Sequence, residues 1–161
     1  MKRTLLLMRH AKSSWDDMAL PDSKRPLNGR GKKDAPEMGR RLEAAGYRCD
    51  LLISSPAVRA YETAMAVAKA LHSGDGLETD ERLYMADIGD YLSVISGVDE
   101  KVEHLMIVSH NPGTEAFFSY LTGERVEKFP TAAYALIAVD EPWSQLSRGH
   151  LIRFDYPKSD R

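Results

Sequence analysis

The chain has one cysteine, Cys49, so no internal disulfide can hold it together. It also has no apolar run near the ~18 residues of a membrane-spanning helix. A secretory signal core needs about 7–15 apolar residues. Residues 5–8 (LLLM) supply only four, and no small-residue cleavage site follows them. An excess of either charge is missing too: 22 Lys and Arg stand against 24 Asp and Glu, a net charge of −2. That balance favours neither a nucleic-acid nor a membrane surface as partner. No internal repeat, linker or low-complexity tract interrupts the chain. These absences predict a cytoplasmic enzyme or binding protein, with residues 1–161 forming one domain large enough to bury a core.

Cys49 reads as a small filler residue before a strand rather than a nucleophile. Seven Lys and Arg fall within residues 24–41, opposed only by Asp34 and Glu37, and read as a solvated helix face.

The remaining sequence predicts strands and helices in alternation. Residues 4–8 read as a buried strand, although leucine is a moderate strand former. Over residues 28–46, Ala35, Met38, Leu42 and Ala45 recur at helical spacing, and Gly46 reads as the terminator. Pro36 conflicts with that helix and predicts a kink. Residues 51–54 form a second short strand. Ser55-Pro56 then reads as an N-cap with proline in the first turn. The helix it starts would present Val58, Tyr61, Met65, Ala68 and Leu71 on one face. Residues 72–79 read as loop, and residues 88–98 as a helix. The segment 104–109 (HLMIVS) is the clearest buried strand. A helix carrying Phe117, Phe118 and Leu121 follows and ends near Gly123. Strands over 133–139 and 151–154 close the chain. This alternation predicts an α/β fold with a central, mostly parallel sheet between two helical layers, α/β/α.

Polar punctuation gathers at three strand ends: Arg9-His10, Ser54-Ser55-Pro56 with Arg59, and Ser109-His110-Asn111-Pro112. In an open parallel sheet, sites form where the carboxyl ends of strands meet. Two histidines and at least two arginines would then share one crevice. Arginine forks match phosphoryl oxygens, and helix N-termini near Pro56 and Pro112 would add positive dipole ends.

The segments LMRHAKSSW, SSPAVRAYETA and VSHNPG resemble the three motifs of the histidine phosphatase superfamily, which includes phosphoglycerate mutases and acid phosphatases. RPLNGRG, residues 25–31, resembles the segment after the first motif, with a further phosphate-binding arginine. The resemblance runs in order from residue 4 to about residue 133. The short length and the RPLN segment look like the bacterial phosphohistidine phosphatases of the SixA type.

That resemblance implies a phosphoglycerate mutase-like fold and a nucleophilic His10 that forms a phosphohistidine intermediate. It implies that Arg9, Arg25, Arg59 and His110 bind the phosphoryl group. No metal or cofactor is implied, because the cationic side chains supply the charge. The implied substrate is a phosphorylated protein, with phosphohistidine favoured, or a small phosphorylated molecule. Two other readings stay open: a small-molecule phosphomonoesterase, and a non-catalytic phosphate- or phosphoprotein-binding module.

Two departures bear on the choice. The usual motif is Arg-His-Gly, whereas this chain has Ala11. In the superfamily's monoesterases a glutamate follows the strand after the second motif. Here the corresponding stretch is DERLYMADIGDY, residues 80–91, and alignment on Leu83 puts Met85 at the acid position. Glu81 and Asp87, with Asp90 nearby, are the possible general acids. Without one, a P–N substrate is favoured over an alkyl phosphate, since imidazole leaves more readily than alkoxide.

GRGKKD, residues 29–34, is not a P-loop, because the earlier glycine is missing and Lys33 replaces Ser or Thr. His72, His104 and His150 lack metal-ligand spacing. Trp15, Asp16 and Asp17 lie on the loop after His10 and are either a lid or plain surface. Thr131 in FPTAAY is placed to approach the site. Trp143 and Tyr156 read as packing residues.

Overall fold

The computed structural model describes residues 2–160. It contains a six-stranded sheet in the order β3-β2-β4-β1-β5-β6. The strands are β1 (Arg3–Arg9), β2 (Leu51–Ser54), β3 (Leu77–Thr79), β4 (His104–Ser109), β5 (Tyr134–Val139) and β6 (His150–Asp155). Only β5 runs against the others, pairing antiparallel with both β1 and β6. The helices are α1 (Gly29–Ala44), α2 (Val58–Ala70), α3 (Ile88–Ser96) and α4 (Gly113–Thr122).

Two cores explain the three layers. Side chains alternate across a pleated strand. Thus Leu6, Met8, Met106 and Val108 pack with α1 and α2 on one face. Leu5, Leu7, Leu105 and Ile107 pack with α3 and α4 on the other. Leucine's modest strand propensity is overridden in β1 because both faces are buried.

Chain order also creates the crevice. From β1 the chain passes through α1 to β2 on one side; from neighbouring β4 it passes through α4 to β5 on the other. Adjacent strands whose connections diverge form a switch point, open at their carboxyl ends.

Several local expectations need correction. Helix α1 runs continuously through Pro36, the residue expected to kink it. The carbonyl freed by that proline belongs to exposed Lys32, where water can satisfy it. The buried face of α2 is Arg59, Ala60, Thr63, Ala64, Val67 and Ala68, while Tyr61 and Met65 are exposed. Small residues win that face because α1 approaches closely: a Cβ on Gly39 would lie 2.8 Å from Cβ of Ala70.

Residues 77–79, expected as loop, pair with β2 as the edge strand β3. The helix after Ser55 starts two residues later than Ser55-Pro56 suggests, with Ala57 as its N-cap. Tyr156 is partly exposed, although its ring meets Phe154, whereas Trp143 is buried as expected. Cys49 precedes β2, and burial pushes its thiol up to about 12, which keeps it unreactive. No helix among the described residues is long and apolar enough to cross a membrane.

Candidate active site

Sheet register delivers the two histidines side by side. Arg9 of β1 pairs with Ser109 of β4, so the next residues on each strand are His10 and His110. The His10 amide donates to the Ser109 carbonyl at 3.0 Å, which holds that register past the strand end. The imidazole centroids lie 5.1 Å apart. On the other side of β4, the Ser55 amide donates to the Val108 carbonyl and brings Ser55 under His110. All three residues are buried.

His10 has a defined tautomer. Its Nδ1 lies 2.7 Å from the carbonyl oxygen of Ala11. A carbonyl can only accept, so Nδ1 carries the hydrogen and Nε2 keeps its lone pair. Arg59 Nε approaches that lone pair at 3.4 Å. Burial, opposed by the Ala11 bond and reinforced by His110, Arg59 and Arg9, lowers the His10 pKa to about 3. The ring is therefore neutral at physiological pH. Ala11 is fully buried, and its amide donates to Thr63 Oγ1 at 2.9 Å. Thr63 Oγ1 in turn donates to the Arg59 carbonyl one helical turn earlier, so α2 anchors both ends of this arrangement.

Arg59 is buried, and both ends of its fork hold one residue, Asp22. Nη2 reaches Asp22 Oδ2 at 3.0 Å, and Nη1 reaches the Asp22 carbonyl at 2.8 Å. Arg25 grips the other carboxylate oxygen through Nε and Nη2. Its Nη1 donates to Ser13 Oγ, and its guanidinium lies 3.6 Å from the Trp15 ring centroid. Trp15 thus braces Arg25 and is otherwise exposed. Arg9 donates from Nη1 to the Phe129 carbonyl, and its buried Nε has no partner among the described residues. Tyr84 Oη donates to Asp22 Oδ2 at 2.6 Å. That bond, followed by those of Arg59 and Arg25, takes the Asp22 pKa down to about 2, so the group is a carboxylate.

His110 Nε2 lies 2.7 Å from Ser55 Oγ, and its buried Nδ1 has no partner among the described residues. Ser55 Oγ also accepts from the Ala57 amide and keeps both its hydrogen and a second lone pair for Nε2, so the Nδ1 edge of His110 is the one open to a ligand. Burial, then Arg59, lowers the His110 pKa to about 4. The Tyr84 ring meets His110 edge-on at 5.5 Å.

The expected residues therefore converge unevenly. His10, Arg59 and His110 share one pocket, with Arg9 beside it. Arg25 reaches the pocket through Asp22 rather than through either histidine. Glu81 sits exposed in a short 3-10 turn. Asp87 accepts from the Asp90 amide while Asp90 accepts from the Asp87 amide, a capping box that starts α3. Among the described residues neither Glu81 nor Asp87 bonds to a pocket member. Met85, at the aligned acid position, is exposed with φ of 56°.

Sequence reasoning missed Asp22, Thr63 and Tyr84 as site residues. Asp22 had one available signal, its i,i+3 spacing before Arg25. A cavity of about 750 Å³ adjoins the site through Arg9 and includes Lys12, Arg30, Lys128 and Thr131 in its lining.

Residues 5–130 match the family model described as histidine phosphatase superfamily (branch 1). An uncharacterized protein of Mycobacterium tuberculosis is 33% identical over 165 residues, covering 94% of this chain and all of that protein. A candidate phosphohistidine phosphatase SixA of Agrobacterium tumefaciens superposes with a TM-score of 0.84 at 32% identity, covering 96% of this chain and 98% of its own. A protein histidine phosphatase SixA complexed with tungstate also gives 0.84, at 25% identity and 96% and 97% coverage.

Proposed function

From its membership of the histidine phosphatase superfamily, to which this chain belongs as a phosphatase, we propose that it removes phosphate from phosphohistidine in proteins. The reaction proceeds without metal, through a phosphorylated His10. The observation that carries this reading is the neutral His10 ring, whose Nδ1–H is held by Ala11 while Nε2 faces Arg59.

His10 Nε2 attacks phosphorus in line. A new N–P bond forms as the substrate's P–N bond breaks, and the bond's electron pair stays on the departing ring nitrogen. Water then attacks phosphorus, the bond to Nε2 breaks, and inorganic phosphate leaves with neutral His10 restored. Arg59, Arg9 and the Nδ1–H of His110 hold the equatorial oxygens and stabilise their growing charge. Arg25 supports Arg59 through the carboxylate that both grip. Three guanidinium groups supply the positive charge that a metal ion provides in other phosphatases.

A similar protein, solved with tungstate, binds an oxyanion of phosphate's shape, which supports a phosphoryl pocket here. The positions of Glu81 and Asp87 support P–N over alkyl P–O cleavage, since an alkoxide needs a proton that no pocket carboxyl group supplies. The open cavity beside Arg9 supports a macromolecular substrate. Its lining carries Arg9, Lys12, Arg30, Lys128 and Lys158 against Asp34 and Glu127, which suits an acidic protein surface.

The decisive experiment treats chelated enzyme with a phosphohistidine-bearing protein, quenches early, and maps the phosphorylated residue. Phosphate release with label on His10 is expected. A His10→Ala variant hydrolysing at the native rate would overturn the reading.

A further inference from the structure

Five side chains close a ring around the pocket. His10 lies 5.1 Å from His110, and His110 lies 5.5 Å from Tyr84, centroid to centroid. Tyr84 Oη is 2.6 Å from Asp22 Oδ2, which is 3.0 Å from Arg59 Nη2. Arg59 Nε returns to His10 Nε2 at 3.4 Å. Within this ring the neighbours of His10 are Arg59 and His110, so Tyr84 and Asp22 form the segment opposite it. In-line displacement sends the leaving group to the side away from the nucleophile. His10 is buried, while the Asp22 side chain is 48% exposed and Tyr84 is part-exposed, so the ring opens toward solvent on that opposite side.

The carboxylate of Asp22 is fully occupied. Oδ1 accepts from Arg25 Nε and Nη2, and Oδ2 accepts from Arg59 and Tyr84. The oxygen with capacity to spare is Tyr84 Oη, which gives its hydrogen to Asp22 and keeps its own lone pairs. A hydroxyl donating to a carboxylate becomes a better acceptor.

We propose that the Tyr84–Asp22 pair is the leaving-group receptor, with Tyr84 Oη accepting the N–H of a protonated phosphoimidazole ring. The inference rests on the phosphohistidine reading above and adds the residues that select the P–N substrate. Substrate enters with phosphorus on one ring nitrogen and a hydrogen on the other. His10 Nε2 bonds to phosphorus, the P–N bond breaks, and its electron pair neutralises the departing imidazolium. The far N–H stays on the leaving imidazole throughout, so no general acid is consumed. An aryl oxide or alkoxide in the same place would instead develop negative charge against Asp22. The pair thus favours a cationic, N–H-bearing leaving group and opposes an anionic one. The charged and titratable groups that face Asp22 are Arg25, Arg59, Tyr84 and His110; those that face Tyr84 are Asp22, Arg59, Arg25 and His110.

The test compares kcat/KM for N-phosphorylimidazole with kcat/KM for para-nitrophenyl phosphate in the native enzyme, Tyr84→Phe and Asp22→Asn. The ratio is expected to fall by about tenfold or more in both variants, the loss of one charge-assisted hydrogen bond. Misplacement of Arg59 alone would depress both substrates together and leave the ratio intact, which would overturn the proposal. Tyr84→Phe retains every arginine contact of Asp22, so its ratio decides the matter if Asp22→Asn folds poorly. A native enzyme inert toward N-phosphorylimidazole and phosphohistidine proteins would instead remove the functional reading itself.

Discussion

The Ala11 amide donates to Thr63 Oγ1 at 2.9 Å, tying the residue after His10 to the middle of α2. The opposite edge of the same residue, its carbonyl, holds the His10 ring. Thr63 is therefore a positioning residue: it fixes the carbonyl that fixes the tautomer. The bland alternative to the usual glycine is also explained. Ala11 has no positive φ, and its methyl group lies in the core with Leu27, Ala35 and Ala60.

Thr63→Val keeps the shape and removes the acceptor. The buried Ala11 N–H is then unpaired, which costs about 1–3 kcal/mol of stability. kcat should fall with it, while Thr63→Ser restores both. Denaturant unfolding and steady-state kinetics check this together. Lost stability with unchanged kcat would show that Ala11 positions the ring unaided.

The buried histidines make stability depend on pH with a definite sign. In the unfolded chain His10 titrates near 6.5, but in the folded protein burial lowers that value to about 3. Between those values the unfolded chain holds the extra proton, so stability falls as pH drops and is fully present above about 6.5. His110 adds the same trend between 6.5 and about 4. His10→Asn removes one titrating group. Its Tm should therefore decline less than the native Tm between about pH 7 and 4.5, measured in matched buffers. Parallel curves would show that His10 is not held neutral by the fold.

Much of this site was legible because its chemistry follows strand ends. Arg9-His10 and Ser109-His110 each terminate a strand, and parallel pairing of those strands makes sequence neighbours of neither into spatial neighbours of both. Helix α4 was equally plain, since Gly123 takes φ of 72° at its C-cap. The failures are tertiary in origin. Tyr61 and Met65 are apolar at helical spacing, yet the close α1–α2 approach at Gly39 and Ala70 favours the alanine-rich face of α2. Strand β3 has three residues and becomes visible only by pairing with β2. Asp22 lies 37 residues from Arg59 and Tyr84 lies 62 from Asp22, so no local pattern links them.

The two sequence-nominated acids can be separated from the chemistry by conservative changes. Asp87 caps α3, and the N-cap role requires only a side-chain oxygen that accepts from Asp90 N–H. Asp87→Asn keeps that acceptor while removing the acidic proton donor, so both stability and turnover should stay near native. Asp87→Ala should lose about 0.5–2 kcal/mol, the range for a deleted cap. Glu81→Gln alters an exposed position in a short turn and should change stability by no more than about 0.5 kcal/mol. Turnover of a phosphohistidine protein and of an alkyl phosphate is the readout for all three. A selective collapse of alkyl phosphate hydrolysis in Asp87→Asn or Glu81→Gln would identify a general acid brought into the pocket by substrate. Unchanged turnover leaves the imidazole leaving group carrying its own proton, opposite His10, against Tyr84.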